Sequence, residues 1–182
     1  QISLSDLEVS RYNKPMRAMK VDKDDQLVSV DLHSKENIIA LSKEGYVLRF
    51  NTEELPLYGL TAGGVKSISL NETDELASAF YAKETDDFYF LTSRGHVIKD
   101  TVLELPRYAR NRRGVILLDK QKTSPHYIVA ASRLSKTQVK EDVKVRLLSS
   151  KELILAKVSD LKYVANKFGK KMLEDGYYLE IY

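Results

Sequence analysis

The sequence predicts an all-β protein made of a short unit that recurs about every 50 residues. Similar hairpin segments stand at 42–50, SKEGYVLRF, and at 93–99, SRGHVIK. Each is followed by a Leu-Pro pair, Leu55-Pro56 and Leu105-Pro106. Apolar residues also alternate with polar ones, as in 143–147, which favours strands over helices. Short strands at a fixed period are typical of a radial or stacked array of antiparallel sheets.

Composition limits the class of protein. Of the 182 residues, 43% are hydrophobic and 30% are charged, which is typical of a folded, soluble chain. The absence of cysteine excludes a disulfide framework and thiolate metal sites, and it suits a reducing cytoplasm. No apolar stretch approaches the roughly 20 residues that a membrane span needs. The first residues show no secretion signal, so nothing marks the chain for export. We also expect no membrane partner.

Four segments of the chain align as repeat units of a single domain, with approximate bounds 1–35, 36–84, 85–138 and 139–182. The hairpins of the last three units lie at 38–50, 88–99 and 143–155. Gly45 and Gly95 stand where a tight turn needs a positive φ, whereas the third copy has Lys151, which predicts a longer or different turn. The first unit lacks its hairpin, so we expect a partial or open array, or a piece of a longer protein.

The charge of the chain is unevenly distributed. Residues 1–91 carry 10 Lys and Arg against 16 Asp and Glu, whereas residues 92–182 carry 19 against 10. The two halves therefore have net charges of −6 and +9, which give the overall +3. This asymmetry indicates a surface that meets a polyanion, although a solvated lysine-rich surface would have the same composition.

The basic residues concentrate between positions 94 and 113, with Tyr108 among them. Arginine matches phosphate geometry, and each neutralised phosphate releases counterions, so this stretch predicts sequence-independent contact with duplex DNA. The repeat places basic residues of the first, third and fourth units in the same loop, whereas the second unit's loop at 57–65 has none. Arg49 and Lys66 could contact DNA there, or could instead pair with Glu53 or Glu54. The candidate DNA-binding residues are Arg11, Lys14, Arg17, Arg49, Lys66, Arg94, Lys99, Arg107, Arg110, Arg112, Arg113, Lys167, Lys170 and Lys171.

The sequence contains no pattern that indicates catalysis. His33, His96 and His126 are too far apart for metal-ligand spacing, and Gly63-Gly64 is not followed by the Lys-Ser/Thr of a phosphate-binding loop. No nucleophile and base can be assembled at a useful spacing. We therefore predict no catalytic residue, no metal and no cofactor.

The repeated hairpin, corner and basic loop resemble a known family. LSKEGYVLRFNTEELP at 41–56 and LTSRGHVIKDTVLELP at 91–106 are similar to repeats in the C-terminal domain of bacterial type IIA topoisomerase A subunits, those of gyrase and topoisomerase IV. The resemblance implies a β-pinwheel, a propeller-like ring of antiparallel four-stranded blades with a basic outer rim. The gyrase version carries a QRRGGKG box, and the nearest match here, NRRG at 111–114, lacks its end. The chain therefore resembles topoisomerase IV more than gyrase.

The resemblance also implies a function. It suggests a non-catalytic domain that binds and bends duplex DNA and presents it to a separate strand-passage core for decatenation and supercoil relaxation. The implied partners are DNA, the ATPase B subunit, and the rest of the A subunit, on the nucleoid in the bacterial cytoplasm. The catalytic tyrosine would lie outside this chain. Two alternatives stay open: a wrapping domain of the gyrase type, and a propeller-type protein-interaction module without a nucleic-acid role.

Overall fold

The described part of the chain is all-β, as predicted. The computed structural model describes residues 1–8, 15–32, 36–118, 125–134, 144–148, 153–157, 170–171 and 178–181. These residues form three antiparallel sheets and three short 3-10 turns, and they contain no α-helix. The 3-10 turns lie at Leu4–Leu7, Thr52–Glu54 and Val102–Glu104. The strands are β1 Asn37–Ser42, β2 Tyr46–Asn51, β3 Leu76–Ala82, β4 Asp87–Thr92, β5 His96–Thr101, β6 Val115–Ile116, β7 Ile128–Leu134, β8 Lys144–Leu148, β9 Leu153–Lys157, β10 Lys170–Lys171 and β11 Tyr178–Ile181.

Each four-stranded sheet takes strands from two successive repeats. The strand orders are β3-β1-β2-β6, β10-β5-β4-β7 and β11-β8-β9. In the first sheet β1, β2 and β3 belong to the predicted second unit, whereas β6 belongs to the third and pairs with β2. In the second sheet β10 of the predicted fourth unit pairs with β5 in the same way. The sheets are therefore interlocked, because one strand of each four-stranded sheet comes from the next repeat along the sequence. The unit bounds themselves stay a prediction.

The hairpin turns follow the glycine pattern. Gly45 and Gly95 have φ values of 96° and 72°, a region in which a side chain is strained. Three residues separate β1 from β2 and β4 from β5, whereas four residues separate β8 from β9. The hairpin that lacks the glycine thus has the longer connection, as its sequence predicts.

The hydrophobic core lies on both faces of the first sheet. Ile39 and Leu41 of β1 pack with Phe88 and Phe90 of β4, which joins the first two sheets. The alternate residues Ile38 and Ala40 of β1 pack on the opposite face, with Phe50 and Ile68. Because both faces of β1 are buried, its sequence at 38–41 is a continuous apolar run without polar alternation.

The return segment of the first unit differs from its counterparts, since residues 25–30 form no strand. The segment lies along the outer edge of β3, where the Ser29 hydroxyl donates to the carbonyl of Ala79 at 2.8 Å. The Asp31 carboxylate accepts the backbone N–H of Tyr81 at 3.0 Å. Side-chain hydrogen bonds thus satisfy part of an edge that a strand would otherwise cover.

Arg49 joins the first two sheets from inside, which corrects its assignment as a DNA contact. The side chain is 4% exposed, and Nη1 donates to the carbonyls of Val102 and Leu105 at 2.9 and 3.0 Å. Nε donates to Asn37, and Nη2 forms an ion pair with Glu84. This hydrogen bond and charge hold the pKa of Glu84 below its usual value. Arg49 therefore holds the turn of the next unit and cannot reach a phosphate outside the protein.

Lys99 occupies the matching place in the second sheet, which corrects a second predicted DNA contact. Its side chain is 6% exposed, and Nζ lies 3.1 Å from the carboxylate of Asp87. Asp87 is the first residue of β4, just as Asn37 is the first residue of β1. In both hairpins, therefore, a basic residue of the second strand contacts the first residue of the first strand. Burial of a charge is costly unless it is paired, and this pairing compensates for it.

Gly114 permits the contact between β6 and β2. Its φ of 80° reverses the chain directly before β6, and a Cβ atom at this position would overlap the carbonyl oxygen of Val47. The strand from the next repeat can therefore reach β2 only if residue 114 has no side chain.

We predict that Gly114→Ala lowers the free energy of unfolding by about 2–4 kcal/mol, because it combines a clash with backbone and a strained φ. Gly63→Ala is the control, since Gly63 lies in a similar loop without a positive φ and with no described atom within 4 Å of its Cβ position. Denaturant unfolding of both variants measures the difference. Equal midpoints would contradict the proposed role of Gly114.

We also predict that Arg49→Ala lowers the free energy of unfolding by about 2–4 kcal/mol, because it removes the hydrogen bonds to the carbonyls of Val102 and Leu105 together with the ion pair to Glu84. Arg17→Ala removes the same charge from an exposed position and is expected to change stability by less than about 0.5 kcal/mol. Thermal unfolding of the two variants makes the comparison. A similar small loss in both would show that the inter-sheet contacts of Arg49 are not needed for folding.

Candidate nucleic-acid interface

The densest basic stretch forms one loop between the 3-10 turn Val102–Glu104 and β6. This segment, residues 107–114, is named the arginine loop; it contains Arg107, Arg110, Arg112 and Arg113. Asn111 has a φ of 64° and Gly114 a φ of 80°, so two left-handed residues bend the chain within four positions. Asn tolerates this conformation better than most residues, which explains its presence there.

Backbone contacts fix the arginine loop against the preceding unit. The N–H of Asn111 donates to the carbonyl of Ser67 at 2.7 Å, and the carbonyl of Arg112 accepts the N–H of Ser69 at 3.0 Å. At the start of the loop, the N–H of Tyr108 donates to the carbonyl of Arg49 at 2.9 Å. Since both ends and the middle are bonded, the loop is held in place without a ligand, which lowers the entropy lost on binding.

Arg110 contributes to this attachment. Its N–H donates to the Glu54 carboxylate at 2.6 Å, and its Nη1 donates to the carbonyl of Lys66 at 2.5 Å. Part of the guanidinium is therefore engaged within the protein. Glu54 also accepts the N–H of Asn51 in a capping box, so the loop is tied to a rigid turn.

The remaining three arginines are exposed and surround an open concavity of about 580 Å³. Arg113 lies over the ring of Tyr46, with Cζ 4.1 Å from the ring centroid, which restricts its guanidinium without neutralising it. Within the described residues, the side chain of Arg112 has no ion pair or hydrogen bond. The concavity is lined by Arg107, Tyr108, Ala109, Arg112, Arg113 and Gly114.

The concavity has the chemistry of an anion site. Guanidinium groups present parallel N–H donors that match phosphate oxygens, and three of them converge here. Residues 101–116 contain four arginines and one acid, Glu104, for a net charge of +3. Within the part of the chain that the structure describes, no cluster of His, Asp and Glu could hold a metal ion. None of the described helices has the length and hydrophobicity needed to cross a membrane.

The other predicted DNA-binding residues differ in their exposure and in the elements on which they lie. Arg17 and Lys66 are exposed, and Arg94 is half-buried at the turn before β5. Lys170 and Lys171 form β10 and pair with Val97 and His96, so they lie on a strand and not in a loop. This corrects their predicted position. Arg11, Lys14 and Lys167 lie outside the described residues.

Three residues of this site were missed by sequence reasoning. Tyr46 lies under Arg113 although it belongs to a different repeat, and no signal in the sequence links the two. Glu54 appeared only as a possible ion-pair partner for Arg49 or Lys66, whereas it binds the backbone of Arg110. Gly114 could have been found, because Gly64 stands 50 positions earlier in the same repeat.

Known proteins are similar to this chain in both sequence and fold. Residues 1–34 and 36–83 match the model of the DNA gyrase C-terminal domain, β-propeller. The DNA topoisomerase 4 A subunit of Streptococcus pyogenes serotype M3 is 39% identical over 113 residues, 62% of this chain and 14% of that protein. Its counterpart in Staphylococcus epidermidis is 35% identical over 139 residues, 76% of this chain and 17% of that protein. The chain thus matches only about a sixth of the length of these relatives.

Solved structures agree with this match. The C-terminal domain of DNA topoisomerase IV superposes with a TM-score of 0.85 at 25% identity, over 98% of this chain and 57% of that one. A DNA gyrase A C-terminal domain, at 19% identity, has the same fold with a TM-score of 0.78, over 91% of this chain and 57% of that one. On these matches of sequence and structure, the chain belongs to the family of C-terminal β-propeller domains of DNA gyrase and topoisomerase IV A subunits.

Proposed function

We propose that this chain is a DNA-binding domain without catalytic activity of its own, and that it holds duplex DNA through phosphates at the arginine loop. The observation that carries the proposal is the convergence of Arg107, Arg112 and Arg113 around one concavity on a loop that is already fixed. Contacts with phosphates carry no sequence information, so binding would be sequence-independent and sensitive to salt.

The position of the loop in the array supports a bending role. The arginine loop is bonded to residues 67 and 69, which directly follow the equivalent loop of the second unit. Successive loops are therefore neighbours along one side of the array. We propose that phosphate contacts at the arginine loop, together with those that the sequence predicts for the fourth unit, bend the DNA; bending a site of 20–30 base pairs costs of order 1–6 kcal/mol.

The relatives supply the setting of the proposal. They are named as A subunits of topoisomerase 4, and this chain also lacks the complete QRRGGKG box of gyrase. We propose that the domain presents duplex DNA to the strand-passage core of a topoisomerase IV. Its partners would be an ATP-dependent B subunit, together with the rest of the A subunit. Decatenation and supercoil relaxation would be activities of that whole enzyme, in the bacterial cytoplasm.

We predict that Arg112→Ala with Arg113→Ala weakens binding to a 40-base-pair duplex by about tenfold for each arginine, whatever the duplex sequence. The slope of log K against log salt should become less steep by about 0.9 for each lost phosphate contact. Fluorescence anisotropy across a salt titration measures both quantities. Folding should be unchanged, because both side chains are exposed.

Lys23→Ala with Lys83→Ala is the matched control, since it removes two charges from exposed positions outside the loop. It should leave the salt slope within about 0.5 of the unaltered chain, since no phosphate contact is removed. If the unaltered chain does not bind duplex DNA at low salt, or if the two double variants behave alike, the proposed role of the arginine loop is wrong.

A further inference from the structure

The second unit contains a loop with the same backbone as the arginine loop and the opposite chemistry. This segment, residues 57–64, is named the neutral loop, because it contains no charged residue. Thr61 and Gly64 have φ values of 68° and 78°, and the residues 50 positions later, Asn111 and Gly114, have 64° and 80°. The two loops therefore bend at the same positions and in the same way.

The attachments of the two loops also correspond. The N–H of Tyr58 donates to the carbonyl of Gln1 at 2.9 Å, just as Tyr108 donates to Arg49. The carbonyl of Ala62 accepts the N–H of Lys20 at 3.1 Å, just as that of Arg112 accepts the N–H of Ser69. Each loop is thus bonded to the unit before it through equivalent atoms. A difference in function between the loops must then come from their side chains.

The side chains differ at every basic position of the arginine loop. Leu57, Leu60, Ala62 and Gly63 stand where the arginine loop has Arg107, Arg110, Arg112 and Arg113. Leu57 is 65% exposed, so an apolar side chain faces solvent where an arginine would meet a phosphate. The neutral loop itself carries no charge, whereas residues 107–114 carry +4 from their four arginines. A phosphate backbone is therefore attracted to the arginine loop, while the neutral loop offers it no cation.

We infer that the neutral loop ends the DNA track, the row of loops that contact phosphates. Duplex DNA contacts the array from the arginine loop onward and leaves it at the second unit. This inference rests on the proposed DNA binding and adds where the contact stops. The limit is set by side chains alone, because the neutral loop already has the backbone that a phosphate contact requires. Restoring its arginines should therefore lengthen the track without any change of fold.

The test is to transfer the three exposed arginines to their equivalent positions, as Leu57→Arg, Ala62→Arg and Gly63→Arg. Arg110 is not transferred, because it is bonded within the protein. In a salt titration with duplexes of 15 to 60 base pairs, the salt slope should steepen by about 0.9 for each new phosphate contact, about 2.7 in all. The shortest duplex that gives full affinity should become longer.

The matched control adds the same charge elsewhere in the first part of the chain, as Leu27→Arg, Val30→Arg and Leu32→Arg. These side chains are 58%, 83% and 70% exposed and lie outside both loops. The control should steepen the slope by less than one phosphate contact and leave the required duplex length unchanged. Equal effects in the control and the transfer variant would overturn the inference, because general charge would then explain the gain.

Further outcomes separate this inference from the proposal beneath it. If the unaltered chain binds DNA through Arg112 and Arg113 but the transfer variant shows no gain, the neutral loop is not a limit and only this inference fails. Lack of binding by the unaltered chain overturns both.

Should the triple variant not fold by circular dichroism, Gly63→Arg alone replaces it, since Gly63 is exposed and has no described atom within 4 Å of its Cβ position. A slope gain near 0.9 supports the inference, and no gain overturns it.

Discussion

The structure depends on each repeat completing the sheet of the repeat before it. β6 pairs with β2 and β10 pairs with β5, so neither four-stranded sheet is made by one repeat alone. Because the connection to β6 passes through the arginine loop, the loop is fixed by the same pairing that closes the sheet. The pairing that completes the sheet therefore also positions the candidate DNA surface.

One buried cation links two successive units through its side-chain hydrogen bonds. Arg49 lies in β2 of one sheet and donates to the carbonyls of Val102 and Leu105, which belong to the turn that leads into the next loop. A guanidinium has five donors in a rigid fork, so one side chain can satisfy several acceptors on two units at once. The same cationic chemistry thus stabilises the protein where it is buried and, in the proposed function, would contact DNA where it is exposed.

The two loops show how such an array can vary its function. A repeated backbone supplies the same position many times, and each copy can gain or lose charge without disturbing the neighbouring sheets. Glycine at 64 and 114 preserves the bend, while the positions around it change from neutral to basic. If the neutral loop limits DNA contact as we propose, the length of that contact would be set by a few surface residues instead of by the number of repeats.

The sequence by itself determined the all-β class, the period, the hairpins with Gly45 and Gly95, and the stretch that forms the arginine loop. These features are local: a turn needs a particular residue, a strand needs alternation or an apolar run, and a loop shows its charge directly. Only the tertiary structure decided that Arg49 and Lys99 are buried, that Tyr46 supports Arg113, and that β6 serves the preceding sheet. The contacts of Arg49 with Val102, of Tyr46 with Arg113 and of β2 with β6 join residues some 50 or more positions apart, and one sequence does not encode such contacts in any local pattern.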